Sequence, residues 1–152
     1  MPTAPRFSQL TRLLYGALPI LRCFEPPIPC GFPSPAEDYL EKPLDLNEIL
    51  LRHPESTFAF RVVGDSMKGV GIHSGDVVVV DRAGAPAPGE IVIAALNGEW
   101  TLKTFGAKDG KLHLLPENTQ DPAFRPIPVD ELADFRVFGV VRHVIHSFKR
   151  NH

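Results

Sequence analysis

From residue 58 to residue 148, short apolar runs alternate with clusters of Gly, Asn, Asp and Pro, a pattern typical of β-strands joined by turns. Four consecutive valines after Asp76 predict a strand that is buried on both faces. The dipeptides Asn97-Gly98 and Asp109-Gly110 each predict a tight turn between two strands. The predicted strands cover residues 58–63, 76–81, 91–96, 99–105 and 111–115, with one or two more within 135–148.

One segment, residues 45–53, has a helical pattern. Asp45 is a favoured N-cap residue, Glu48 follows three positions later as in a capping box, and Pro54 ends the segment. Before this helix, prolines dominate: eight of the 16 lie at or before Pro35. Because proline interrupts helices, we predict a mainly β protein. Its compact antiparallel β-domain covers residues 57–148 and follows an extended N-terminal arm and the one short helix.

Composition narrows the range of functions. The chain has 152 residues, the size of one ordinary domain, and its 16 basic and 18 acidic residues give a net charge of −2. This balance argues against general binding to nucleic acids or anionic membranes. Residues 1–30 depart from it with a net charge of +2, so the remainder carries −4. The sequence has neither a Gly-rich turn typical of nucleotide binding nor an aromatic and basic platform for RNA.

The compartment is predicted from the apolar runs and the cysteines. Residues 13–21 resemble the core of a signal peptide, but Arg22 follows where a small residue is required. The other apolar runs are also too short to span a membrane, so we expect a cytoplasmic protein whose Cys23 and Cys30 stay reduced. His143 and His146 are three residues apart on a predicted strand and would point to opposite faces, so we expect no metal and no other cofactor.

The segment Gly64-Asp65-Ser66-Met67 is the first candidate for chemistry. A serine at a strand end, followed by a turn rich in glycine, is exposed and has free backbone N–H groups beside it. A nucleophile with a main-chain oxyanion hole needs this environment. Gly, Asp and Ser are also common in ordinary polar turns, which these residues alone favour.

Lys103 is the candidate base for such a serine. Strand alternation places Trp100 and Leu102 on one face and Thr101, Lys103 and Phe105 on the other. Desolvation beside apolar groups lowers the pKa of a lysine, but a pKa near neutrality requires about 4–5 kcal/mol of disfavoured charging. Only a mostly buried amine without a carboxylate partner meets this demand. The alternation alone favours a lysine that extends from a sheet edge into solvent.

Taken together, these segments resemble the LexA/UmuD family of self-cleaving serine peptidases. The similarity lies in Gly64-Asp65-Ser66-Met67, in Gly71-Ile72 with Gly75-Asp76, and in Lys103, 37 residues after Ser66. Residues 89–94, 115–118 and 138–141 also resemble family signatures, and residues 29–39 resemble the cleavage region of the UmuD-type members. The resemblance covers roughly residues 28–148.

The resemblance implies a mechanism based on a Ser–Lys dyad. Ser66 would be the nucleophile and neutral Lys103 the general base, while the backbone N–H groups of Ser66 and Met67 would form the oxyanion hole. The cleavage site would be the bond between Cys30 and Gly31. Asp65 is interpreted as a turn residue, because a carboxylate beside Lys103 would keep the amine charged.

The resemblance also implies an organisation and a set of partners. Residues 1–30 would be a removable N-terminal arm, 31–56 a linker with a short helix, 57–148 the peptidase domain of the LexA/UmuD C-terminal type, and 149–152 a tail. A homodimer would cleave itself, in cis or in trans, when stimulated by RecA filaments on single-stranded DNA. The processed 31–152 form would then serve a UmuC-like error-prone translesion DNA polymerase in SOS mutagenesis.

Three other functions share parts of this pattern. A LexA-like or phage-type repressor needs a helix-turn-helix before the cleavage site, where this sequence is rich in proline, so we expect no direct sequence-specific DNA binding. A signal-peptidase-like enzyme needs a membrane anchor, and none is predicted here. A non-catalytic accessory protein would not need Ser66, Lys103 and Cys30-Gly31 together.

Overall fold

The computed structural model describes residues 21–148, apart from Pro26, Ser34 and residues 36–39. The predicted tail and residues 1–20 of the predicted arm lie outside the described residues. The chain divides into two compact units, one that ends at Ile49 and one that begins at Leu50. The boundaries placed after residues 30 and 56 remain predictions. None of the helices in the described ranges is long and apolar enough to cross a membrane.

In the smaller unit, two strands pair antiparallel: β1 (Leu21–Glu25) and β2 (Leu40–Leu44). Two exposed ion pairs join them, Arg22–Glu41 at 3.9 Å and Lys42–Glu25 at 3.3 Å. Such pairs contribute at most about 1 kcal/mol each. The sequence predicted an extended arm but not this pairing, because Pro43 argues against a strand. Proline is tolerated here because each strand of a two-stranded sheet is an edge strand.

The predicted helix is present but shorter than expected, as α1 (Leu46–Leu50). The Asp45 cap is confirmed, since its Oδ1 accepts a hydrogen bond from the Asn47 N–H at 2.9 Å. Towards Pro54 the backbone leaves the α region, with His53 at φ −128° and ψ 84°, and Pro54–Ser56 forms a 3₁₀ turn. Steric clash between a proline ring and the preceding residue explains why the helix does not continue to His53.

The larger unit contains seven strands in one antiparallel sheet, in the order β3-β4-β9-β5-β6-β7-β8. They are β3 (Thr57–Arg61), β4 (Val77–Asp81), β5 (Ile91–Leu96), β6 (Glu99–Lys108), β7 (Lys111–Leu115), β8 (Ile127–Pro128) and β9 (Phe135–Ile145). The mainly antiparallel β fold is therefore confirmed. The sequence missed β8, which has two residues, one of them proline, and the 135–148 segment forms one strand and not two.

The long strand β9 connects the two halves of this sheet. Its C-terminal part pairs with β4 and its N-terminal part with β5, and each pairing has a bulge, at Val79/Val80 and at Ile93/Ala94. Bulges bend and twist a strand, which lets the sheet curl. At the overlap, a side chain on Gly139 would collide with the Asp81 carbonyl, so only glycine fits.

Buried residues cover both faces of the sheet. One cluster is formed by Met67, Ile72, Val78, Val80 and Ile93, and the other by Val92, Ala94, Leu114 and Val140. Neighbouring residues of β5 fall into different clusters, as strand alternation requires. Val78, Val79 and Val80 are all buried, which confirms the prediction for the valine run. Met67 and Ile72 belong to the turn that carries Ser66, so the burial of their side chains in the core holds that turn in place.

Candidate active site

Ser66 lies in the long turn between β3 and β4, residues 62–76, as predicted. Its side chain is half-buried, while the next residue, Met67, is only 2% exposed and packs into the core. The Met67 carbonyl accepts hydrogen bonds from the N–H groups of Val70 and Ile72, which closes the turn around it. The burial of Met67 therefore sets the position of Ser66.

A second segment holds the turn from the opposite side. The Glu117 N–H donates to the Ser66 carbonyl at 2.7 Å, and the Gly69 N–H donates to the Glu117 carbonyl at 2.6 Å. The Asn118 side-chain amide donates to the Asp65 carbonyl at 2.9 Å. A methyl group at Gly69 would overlap the Glu117 carbonyl oxygen, so this backbone pairing requires glycine. These bonds give residues 115–118 a physical role that the sequence alone did not reveal.

Lys103 lies on β6, and its amine reaches the serine. Its Nζ donates to Ser66 Oγ, to Thr101 Oγ1 and to the Leu102 carbonyl, each at 3.0 Å. All three acceptors are neutral, and among the described residues no carboxylate forms an ion pair with this amine. Burial lowers the pKa of Lys103 below its ordinary value, because desolvation disfavours the charged ammonium.

The main chain beside the hydroxyl has unused donors. The N–H groups of Ser66 and Met67 have no hydrogen-bond partner within the described part of the chain. Two such donors next to a serine hydroxyl have the character of an oxyanion hole. Asp65 is exposed, and its carbonyl accepts from the Lys68 N–H at 3.2 Å, as in an ordinary turn.

Two depressions meet at Ser66 and Lys103. One, of about 360 Å³, is lined by Phe60, Val62, Ile72, Ile93, Trp100 and Leu102, among others. The second, of about 540 Å³, is lined among others by Pro116, Phe124, Arg125, Pro126, Ile127 and Pro128. Both depressions also include Val63, Gly64, Ser66 and Lys103, so each borders the hydroxyl and the amine.

Cys30 and Gly31 lie in the smaller unit, in the connection between β1 and β2. Both residues are exposed, and the next residue, Phe32, is 94% exposed. The structure thus brings Ser66, Met67 and Lys103 together and places Cys30 and Gly31 on a surface loop.

The sequence missed one polar contact of the amine, Thr101. The signal was present, because alternation along β6 already placed Thr101 on the same face as Lys103. The Leu102 carbonyl is a main-chain group, for which a sequence carries no residue-type signal.

Comparison with known proteins gives consistent matches. Residues 24–142, which include Cys30, Gly31, Ser66 and Lys103, match the family described as Peptidase S24-like. The chain is 49% identical to Protein SamA of Salmonella typhimurium over 119 residues, 78% of this chain and 80% of SamA. It is 43% identical to Protein ImpA of Escherichia coli over 116 residues, 76% of this chain and 77% of ImpA. LexA repressor 1 of Pseudomonas putida is 38% identical over 103 residues, 68% of this chain but 49% of the repressor.

Proposed function

Because this chain belongs to the Peptidase S24-like family of serine peptidases, as a UmuD-like member of the LexA/UmuD group, we propose that it cleaves itself between Cys30 and Gly31. The contact of 3.0 Å between Lys103 Nζ and Ser66 Oγ carries the proposal. A nucleophile and its base must lie within hydrogen-bond reach, and these two atoms do.

The first step is the attack on the peptide bond. Neutral Lys103 accepts the Ser66 hydroxyl proton while Oγ bonds to the Cys30 carbonyl carbon. The carbonyl oxygen becomes an oxyanion, which the N–H groups of Ser66 and Met67 stabilise. The bond between the Cys30 carbonyl carbon and the Gly31 nitrogen then breaks, and the Lys103 ammonium returns its proton to that nitrogen. This leaves a Cys30 ester on Ser66.

The second step is hydrolysis of that ester. Lys103, neutral again, removes a proton from water, whose oxygen attacks the ester carbonyl. Ser66 Oγ then leaves and takes the proton from Lys103, which frees Cys30 as a carboxylic acid that ionises in solution. The neutral acceptors around Lys103 suit this cycle, because they hold the amine in place without the charge that would keep it protonated.

Exposure supports the choice of scissile bond. Cys30 and Gly31 are exposed, and the space where a Gly31 side chain would lie is open. A peptidase binds its substrate in an extended form, and the loop between β1 and β2 offers such a segment next to several prolines. Removal of residues 1–30 would leave the 31–152 fragment.

The remaining parts of the proposal rest on the resemblance to UmuD-type proteins. The protein would be a homodimer in the cytoplasm, and RecA filaments on single-stranded DNA would stimulate its cleavage. The 31–152 form would join a UmuC-like translesion polymerase in SOS mutagenesis.

Mass spectrometry of the full chain tests the proposal directly. The protein is incubated with RecA, single-stranded DNA and a non-hydrolysable nucleotide, and we expect two products, residues 1–30 and 31–152. Ser66→Ala and Lys103→Ala should each slow their appearance at least about a thousandfold. Ser147→Ala and Lys108→Ala, which change exposed residues of the same types, should cleave normally. Cleavage at Cys30–Gly31 in either dyad variant would refute the proposed mechanism.

A further inference from the structure

Away from Ser66 and Lys103, the side chains of His73, Asp76 and His146 converge. One potential ligand atom from each lies within 4.8 Å of the other two. His73 and Asp76 belong to the end of the turn before β4, and His146 directly follows β9. The pairing of β4 with β9, in which Val77 lies opposite Ile145, brings these distant segments together.

The donor atoms are spaced closely enough for a shared ion. His146 Nδ1 lies 2.6 Å from Asp76 Oδ1, and His73 Nδ1 lies 3.8 Å from Asp76 Oδ2. Tetrahedral zinc with ligand bonds of about 2.0–2.1 Å requires its ligand atoms to be about 3.3 Å apart. The two distances run to different oxygens of the Asp76 carboxylate, and one ligand atom from each of the three residues lies within 4.8 Å of the others, so an ion would bind after side-chain rotations towards a common centre.

One polar atom of the cluster lacks a hydrogen-bond partner among the described residues. His73 Nδ1 is buried and has no hydrogen-bond partner among the described residues, although a buried polar nitrogen normally has one. Asp76 is only 4% exposed, and the His73 backbone N–H donates to its Oδ2 at 2.8 Å.

We propose that His73, Asp76 and His146 bind one divalent transition-metal ion of the zinc type. Imidazole nitrogen suits Zn²⁺, Ni²⁺ and Cu²⁺, whereas Mg²⁺ and Ca²⁺ prefer sites made of oxygen atoms alone. Three protein ligands fill three positions of a tetrahedron and leave the fourth for water or another small ligand. The exposed Phe148 ring lies edge-to-face with the His146 ring, with the two centroids 5.3 Å apart.

The site has a structural consequence for the turn that carries Ser66. The Asp76 carbonyl accepts from the N–H of Val62, the first residue of the turn after β3, at 2.9 Å, and Ser74 Oγ accepts from the Gly64 N–H at 3.2 Å. An ion that links His73 and Asp76 to His146 would therefore anchor the far end of this turn to β9. We expect the bound ion to stabilise the folded chain whether or not the chain cleaves itself.

Calorimetry with Zn²⁺ at about pH 7.5, where imidazole is mostly neutral, tests the site on the full chain. We expect one ion per chain, and a rise in Tm of about 5 °C at zinc concentrations well above Kd. His73→Ala and His146→Ala should each weaken binding at least about tenfold and remove most of the Tm rise. His143→Ala, which removes another imidazole from the same strand region, should bind as the parent does.

Cobalt(II) provides an independent readout, because Cys23 and Cys30 are alternative ligands elsewhere in the chain. Visible absorption without a thiolate-to-cobalt band, lost in His146→Ala, supports the proposed ligands. A thiolate band, zinc affinity unchanged in both histidine variants, or no zinc binding by the parent would each overturn the proposal. Neither the calorimetry nor the spectrum depends on self-cleavage, so the failure of one proposal leaves the other intact.

Discussion

At Lys103, the surroundings of a single amine determine what the residue can do. The sequence pattern alone favoured a lysine that extends into solvent, but the structure shows a half-buried amine with three neutral oxygen acceptors. The lowered pKa of Lys103 follows from this burial. A carboxylate in the place of any of these acceptors would reverse the effect, because opposite charge stabilises the ammonium.

The proposed role of Lys103 predicts that self-cleavage without RecA becomes faster as the pH rises. Only the neutral amine can accept the Ser66 proton, and its fraction grows about tenfold per pH unit below the pKa. Because burial lowers the pKa of Lys103, the rate should level off at a lower pH than an ordinary lysine would allow. The rate is measured by gel densitometry from about pH 7 to pH 9.5, with Ser66→Ala as the control. A rate that falls over this range would exclude lysine as the base.

At the scale of elements, two loops and one strand assemble the candidate site. Met67 anchors the Ser66 turn in the core, residues 117–118 hold the turn from outside, and β6 supplies Lys103. The register of β6 against β5, with Val92 opposite Lys103, fixes the position of Lys103 along the strand direction. The hydroxyl and the amine meet because two separate elements are each independently fixed.

Gly69→Ala tests this support. The added methyl group would collide with the Glu117 carbonyl, and we expect a loss of about 1–3 kcal/mol in the free energy of unfolding, measured with urea. Cleavage should slow by more than the stability loss explains, because Glu117 also binds the Ser66 carbonyl. The neighbouring Lys68→Ala is the control, since that side chain is exposed. Parent-like stability and cleavage in Gly69→Ala would show that the contact does not position Ser66.

At the scale of the whole molecule, net charge differs between the two sides of the proposed cleavage site. Residues 1–30 carry +2, whereas residues 31–152 carry −4. The proposed scissile bond lies in the exposed connection between β1 and β2, so cleavage would cut the backbone between two paired strands. After cleavage, the five residue pairs between β1 and β2 would no longer be supported by a covalent link between the two strands.

The loss of the arm is predicted to change the partners of the protein. Purified 31–152 should co-purify with a UmuC-like polymerase better than the uncleavable Ser66→Ala full chain does, because processing is proposed to produce the form that joins the polymerase. Pull-down with quantitative immunoblotting measures the difference. Equal recovery of the two forms would argue against processing as the switch.

Most strands of the larger unit could be predicted from the sequence, and the family resemblance singled out Ser66 and Lys103, whereas the contacts that support these two residues could not be predicted. Alternation and turn dipeptides are local signals, so the runs at 91–96 and 111–115 were predicted with the observed bounds. The β1–β2 pair was missed because Pro43 obscures its pattern, and β8 because two residues are too few to show any period. Residues 117–118 were assigned no structural role, since their function lies in backbone hydrogen bonds.

The histidines show most clearly the difference between what the sequence predicts and what the fold decides. Along the sequence, the histidine nearest to His146 is His143, and strand alternation places the two side chains on opposite faces. In the fold, its neighbours are His73 and Asp76, 70 residues away along the chain in the case of Asp76. By itself, the sequence determined most strand segments of the larger unit, the chemically competent residue types and the resemblance to the family. Only the tertiary structure decided which of them meet, because burial, register and backbone pairing depend on contacts between distant segments.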